Sequence, residues 1–190
     1  MNESQATQVI EELFSLYEKY GAADYIGEPV SQLEHMCQAA QLAESEGYDE
    51  EVILAAFFHD IGHLCEHIMS VKQMNGYGVL DHEMLAGTYL REKGFSEKIA
   101  RLVENHVAAK RYLTYRNPAY YEKLSEASKM TLLEQGGRMD ETEAVFFEKD
   151  SLHTLYIRLR EWDDMAKLEQ QPLPSIQRYK EMALRHLLQR

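Results

Sequence analysis

The sequence is short of the residues that build specialised protein classes: of 190 residues, two are cysteine and four are proline. Two thiols cannot form the disulfide framework of a small secreted domain, and Cys37 and Cys65 both lie in apolar helical stretches. Reduced core thiols in a cytoplasmic protein are the expectation, although linear sequence leaves a bridge between them open. No run approaches ~18 consecutive apolar residues, and the start, MNESQATQVIEELF, lacks a basic segment followed by an apolar one, so neither a membrane span nor an export leader is expected. Positive charge is also scarce. Twenty Lys and Arg against 32 Asp and Glu leave a formal net charge of -12, which excludes a broad basic face for nucleic acid or anionic lipid. An anionic ligand would need a local positive site. Strand-like alternation, internal repeats and composition shifts are absent too, so the expected class is all-α, as one domain over residues 1–190.

What is present is helical periodicity. Apolar residues recur at helical spacing from Ser4 to Tyr20, with Gly21 as a stop. The link GAADYIGEP reads as a loop that clusters Tyr25, Ile26 and Glu28, and Val30 to Ser45 as a second helix. Asp49 caps a central helix, Glu50 to about Cys65. Further helices are expected from Val79 to about Lys93, and from Ser96 through His106 towards Lys110. Ala119 to Glu134 follows, as one helix or two short pieces, and Asp140 to Glu143 forms a capping box. Asp150 opens a long helix through Met165, and a last helix runs towards Arg190.

Ala55 to His63, AAFFHDIGH, is the anomaly. It places the adjacent pair His59-Asp60, with His63 one turn on, in an apolar run that should be buried, where an unpaired carboxylate is costly unless it is matched or binds a metal. Other candidates sit on other helices: His35, His82, His106 and Asp163. A lone His beside an apolar face is more often a hydrogen-bonded core residue than a ligand, but imidazole and carboxylate together are a ligand set for iron, manganese or zinc, and a bridging carboxylate can hold two such ions. Neighbours on a helix point ~100° apart, so His59 and Asp60 share a centre only if it lies between their directions.

The order His35, His59-Asp60, Asp163 resembles the HD-domain superfamily of metal-dependent phosphohydrolases, an all-helical bundle with the metal in its middle, and His82 and His106 look like the extra ligands of its dinuclear members. The blocks DYIGEPVSQLEHM, FFHDIGH, GYGVLDHE, GFSEKIARLVENHVAAKRYL, LSEASKMTLLEQGG and IRLREWD are more specific. From Asp24 to about Lys167 they are similar to the oxidative carbon-phosphorus lyases, mixed-valence diiron oxygenases of that superfamily. The resemblance implies two iron ions, Fe2+/Fe3+, with O2 as co-substrate. His35, His59, Asp60 and Asp163 would hold one ion, and Asp60 would bridge to a second held by His82 and His106. Asp164, next to the ligand, could be mistaken for it. Tyr25 matches a tyrosine that occupies an iron site at rest and yields to substrate, and Glu28 a carboxylate that meets a cationic amine; without the family they read as a packed tyrosine and a solvated carboxylate. His63, Lys110, Ser128 and Gln135 match positions around a substrate phosphonate, with His63 donating when protonated, although Lys110 beside Arg111 also reads as a surface basic patch. Arg158 and Arg160 read as surface ion-paired residues without an assigned role, and His67, His153 and His186 as structural or exposed.

The implied substrate is a small organophosphonate of the 2-amino-1-hydroxyethylphosphonate type, cleaved by O2 to phosphate and glycine. A trimethylammonium substrate giving glycine betaine is an alternative, since Tyr25, Tyr77, Tyr112 and Tyr115 could supply aromatic faces to a quaternary nitrogen. Two readings from other classes are an HD phosphohydrolase acting on phosphate esters and a module whose metals only hold the fold. The oligomeric state is not legible.

Overall fold

The computed structural model describes residues 1–25 and 27–189; Ile26, grouped above with Tyr25 and Glu28, and Arg190, towards which the last helix runs, lie outside the described residues. The chain forms α1 (Glu3–Tyr20), α2 (Gln32–Ser45), α3 (Glu50–Phe58), α4 (Ile61–Leu64), α5 (His82–Glu92), α6 (Glu97–Glu104), α7 (His106–Arg116), α8 (Pro118–Lys123), α9 (Glu126–Glu134), α10 (Glu141–Glu148), α11 (His153–Met165) and α12 (Ile176–Leu188), with a 3-10 turn at Cys65–His67. Among the described residues there is no strand beyond the isolated bridges Asp24 to Ser31 and Gln73 to Val79.

Side-chain caps set most helix starts. Asp49 accepts from the Val52 amide at 3.1 Å, and Asp140 and Glu143 form the expected capping box. A second box, Ser31 with Glu34, starts α2 at Gln32 and not at Val30. Likewise α5 begins at His82 and not at Val79, because Asp81 is left-handed with φ 56°. Asp150 accepts from the Leu152 amide at 2.9 Å, so it precedes α11 without belonging to it. Residues 118–134 are two helices, the second of the two forms allowed above.

The expectation of one helix from Glu50 to Cys65 is corrected. The chain leaves the helix at Asp60 (φ -105°, ψ 11°) and resumes as α4; the continuous run through His106 breaks in the same way at Asn105 (φ -104°, ψ 5°). Both residues lie in the sparsely populated bridge region, and each break re-aims a histidine that a straight helix would have pointed elsewhere.

Every residue of α3 from Val52 to Phe58 is buried, and the helix packs against α2, α6, α11 and α12. Phe57 stacks on Tyr179 with ring centres 4.5 Å apart and lies 4.8 Å from Tyr17, while Phe58 meets Phe95 edge-on at 5.2 Å. Each large apolar side chain so buried contributes about 1.5–3 kcal/mol. This core makes the C-terminal end of α3 a rigid mount for His59 and Asp60. Cys37 and Cys65 are buried free thiols, and burial pushes both up to about 12. Among the described residues no helix is long and apolar enough to cross a membrane.

Candidate metal centre and substrate cavity

Four histidines point their Nε2 atoms at the two oxygens of Asp60. Asp60 Oδ2 lies 3.5 Å from His35 Nε2 and 3.3 Å from His59 Nε2, and Asp163 Oδ1 lies 3.3 Å from the same His35 nitrogen. Asp60 Oδ1 lies 3.2 Å from His82 Nε2 and 3.5 Å from His106 Nε2. One carboxylate therefore faces two donor sets, one oxygen to each, and all six residues are buried.

The opposite ring nitrogens explain the orientation. His35 Nδ1 donates to the Ala166 carbonyl at 2.9 Å, His59 Nδ1 to Ala56 at 2.8 Å and His106 Nδ1 to Val103 at 2.7 Å. A carbonyl only accepts, so each ring carries a proton on Nδ1 and, when neutral, turns a bare Nε2 lone pair inwards. The Nε2 atoms of His35 and His59 are 3.0 Å apart, and those of His82 and His106 are 3.2 Å apart. Two buried lone pairs at that distance repel unless a proton or a metal ion lies between them. The donor set thus fits metal ions on both sides of Asp60. His82 completes the pattern differently: its Nδ1 has only the Glu83 carboxylate, at 3.5 Å.

Charge in the cluster follows the same geometry. Burial alone would raise the Asp60 and Asp163 carboxyls and is the largest single influence on each, but His59 with His106 and His82 at Asp60, and Arg160 with His35 and His59 at Asp163, together outweigh it and hold both well below the usual carboxylate range. Burial would lower His59, yet Asp60 and Asp163 hold it up to about 9.

His63, Asp60 and His82 also come within ligand distance of one another. His63 is nevertheless the wrong donor. Its Nδ1 accepts from the Val79 amide at 3.1 Å, so its proton sits on Nε2, and its ring stacks on His82 with centres 4.0 Å apart. His106, with its bare Nε2, is the better partner for His82. Burial, with His82 next, pushes His63 down to about 3. The expected protonated donor is therefore corrected to a neutral imidazole that donates through Nε2–H.

The cavity beside the cluster is lined by Tyr25, Glu28, His63, Tyr77, Lys110, Ser128, Thr131, Gln135 and Arg160 as well as by Asp60, His82, His106 and Asp163. Every expected substrate-side residue is among them. Lys110 is only 2% exposed, so the surface-patch reading of Lys110 and Arg111 fails: Lys110 turns inwards to Thr131 Oγ1 at 3.0 Å, while Arg111 pairs with Glu143. Tyr25 donates to Asp60 Oδ2 at 2.9 Å and stacks on His35. Burial and then Asp60 push its phenol well above the ordinary range, so it is a neutral donor. Glu28, expected to meet an amine, is already paired with Lys167 at 2.6 Å. Tyr112 and Tyr115 do not reach the cavity; Tyr112 donates to Glu148, and Tyr115 lies under Arg116.

Arg160 corrects a sequence reading. It is 4% exposed, binds Asp163 Oδ2 at 2.8 Å and also pairs with Asp164, which donates nothing to the histidine cluster and accepts from Tyr120 instead. Its i,i+3 spacing to Asp163 was the available clue. Arg158 does lie at the surface, on Glu46 and Glu161. The remaining histidines stay outside the cluster: His67 stacks on Tyr20, His153 binds the Asp150 carbonyl and His186 accepts from the Ser96 amide.

Close packing brings the second histidine set to Asp60. A Cβ on Gly62 would fall 2.0 Å from the His82 carbonyl oxygen. Gly62→Ala should therefore push α4 from α5, costing about 1–3 kcal/mol or more, and lower Tm by about 2–4 °C for each of those kcal/mol; an unchanged melting curve would show that the contact is not tight.

Residues 32–155 match the family model of the HD domain. The chain is 44% identical to an uncharacterized protein of Acanthamoeba polyphaga mimivirus, over 98% of this chain and 85% of that one. It is 37% identical to 1-hydroxy-2-(trimethylamino)ethylphosphonate dioxygenase (glycine-betaine-forming) of Leisingera caerulea, over 93% and 89% of the two chains. It is also 37% identical to hydroxymethylphosphonate dioxygenase of Gimesia maris, over 88% and 82%. With an all-helical bundle that gathers histidines and aspartates of both sets around one carboxylate, these similarities lead to one family: the chain belongs to the HD-domain family and, within it, to the phosphonate dioxygenases.

Proposed function

We propose that the protein cleaves the carbon-phosphorus bond of a small 1-hydroxyalkylphosphonate with O2 at a diiron centre, releasing phosphate and a carboxylic acid. For an aminoethyl substrate the acid would be glycine, and for its trimethylated form glycine betaine. Atoms balance without an added reductant, since one O2 and the hydroxyphosphonate together contain those of the acid and the phosphate. The observation that carries the reading is the division of Asp60, with Oδ2 towards His35 and His59 and Oδ1 towards His82 and His106, beside a cavity that holds the buried cation Lys110.

In this reading His35, His59, Asp60 and Asp163 hold one iron, and Asp60, His82 and His106 the other. The iron pair supplies Lewis acidity towards the substrate hydroxyl and redox chemistry towards O2. The chain's own groups bind and orient. Lys110 matches the phosphonate charge, the Nε2–H of His63 and the side chains of Ser128 and Gln135 offer neutral donors, and Arg160 fixes the rotamer of Asp163. Tyr25 donates to Asp60 Oδ2, and in this reading it would yield that position to the incoming substrate.

The test is aerobic incubation of the iron-loaded protein with a panel of 1-hydroxyalkylphosphonates, following O2 uptake and phosphate together. Equimolar consumption and release is expected. Phosphate set free anaerobically from phosphate esters, with no O2 uptake, would replace this reading with the hydrolase one.

A further inference from the structure

Glu28 is tied into a built charge pair. Its Oε1 accepts from Lys167 Nζ at 2.6 Å and from Ser125 Oγ at 2.5 Å. The side chains are largely buried, 8% exposed for Glu28 and 15% for Lys167. Each partner is anchored. Ser125 is the N-cap of α9 and accepts from the Ser128 amide at 3.1 Å. Gly27, with φ +78°, lies so close to α9 that a Cβ there would fall 2.8 Å from the Ala127 methyl, which clamps the loop carrying Glu28. Lys167 sits between two held residues: the Ala166 carbonyl accepts from His35, and Gln38 binds both the amide and the carbonyl of Leu168, at 3.0 and 2.9 Å.

We infer that Lys167, bonded to Glu28 without itself lining the cavity, neutralises the carboxylate that Glu28 would otherwise offer a substrate amine, so that the cavity selects 1-hydroxyalkylphosphonates whose carbon tail carries no positive charge. This rests on the hydroxyphosphonate reading above and narrows it. An incoming ammonium would meet a carboxylate whose charge Lys167 already offsets, with the like charge of Lys167 behind it, at a depth where salt screens little. A quaternary ammonium finds no cage either. Only Tyr25 and Tyr77 of the four candidate tyrosines line the cavity, and the Tyr25 face is stacked on His35.

The experiment compares hydroxymethylphosphonate, 2-amino-1-hydroxyethylphosphonate and its trimethylammonio analogue on the full-length iron-loaded protein. Anaerobic Kd and aerobic kcat/KM are measured for wild type, Lys167→Met and Lys167→Gln, the last keeping a hydrogen-bonding side chain if the methionine variant fails to fold. Wild type should favour hydroxymethylphosphonate over either cationic substrate by about tenfold or more in both quantities, and each variant should move the ratio towards the amino substrate by about tenfold. A wild type that binds the amino substrate as tightly as the uncharged one, or a ratio unmoved in the variants, would overturn the assignment. If no member of the panel releases phosphate with O2, the oxygenase reading fails, and the anaerobic Kd ratios still decide the role of Lys167.

Discussion

Asp60→Ala is expected to lose the bound iron and all measurable turnover, a fall of about 10³-fold or more. Asp60 faces both donor sets: its oxygens lie 3.2 to 3.5 Å from four histidine Nε2 atoms. Removing the carboxylate leaves the His82 and His106 side with no anion and the other side with Asp163 alone, whose charge Arg160 already offsets, so neither ion keeps its affinity. Asp60→Asn separates charge from shape. It preserves the side-chain volume and an acceptor for Tyr25, yet should still lose iron, because an amide supplies one oxygen where two are used. Metal content by elemental analysis, read beside phosphate release, checks both variants; a fully active Asp60→Ala protein without iron would remove the metal assignment altogether.

The second large effect has opposite signs in stability and function. Lys110→Met should raise the Tm of the ligand-free protein while raising KM for an anionic phosphonate about tenfold to a hundredfold, the worth of one charge-assisted hydrogen bond. Lys110 is 2% exposed, its one hydrogen bond runs to a neutral hydroxyl, Thr131 Oγ1, and burial followed by the Arg160 guanidinium pushes it from 10.5 down to about 7. The unfolded chain therefore binds the extra proton between about pH 7 and 10.5, and wild-type stability rises with pH across that window. The cost of the buried charge is largest at and below pH 7. Stabilisation by methionine, of the order of 1–4 kcal/mol, should be fullest there and fade as pH approaches 10. Thermal melts at several pH values, with KM at one, decide it: a lower Tm together with an unchanged KM would mean that Lys110 is structural and does not await an anion.

Much of this site could be read in the chain because its chemistry is costly anywhere else. A carboxylate in AAFFHDIGH, His35 and His106 beside apolar faces, and Lys110 one turn after His106 are residue types that need a partner when buried, and all of them are buried around one centre. Helix rotation was harder to read. Asp163 and Asp164 differ by ~100° and Arg158 and Arg160 by ~200° around α11, so the phase set by packing against α2 and α7 sends Asp163 and Arg160 inwards and Arg158 to the surface. The breaks at Asp60 and Asn105 carry no glycine or proline to announce them.

By itself the sequence determined the helical class, the single apolar rod of α3, and which side chains would demand a cation or an anion once buried, because periodicity and desolvation cost are local properties of residue type. Only the tertiary structure decided which oxygen of Asp60 meets which histidine, that His63 faces the cavity as a neutral donor, and that Glu28 is matched by Lys167, 139 positions further along the chain. Those are relations between distant segments. They depend on hydrogen bonds to particular backbone carbonyls and amides, whose positions exist only once the helices have packed.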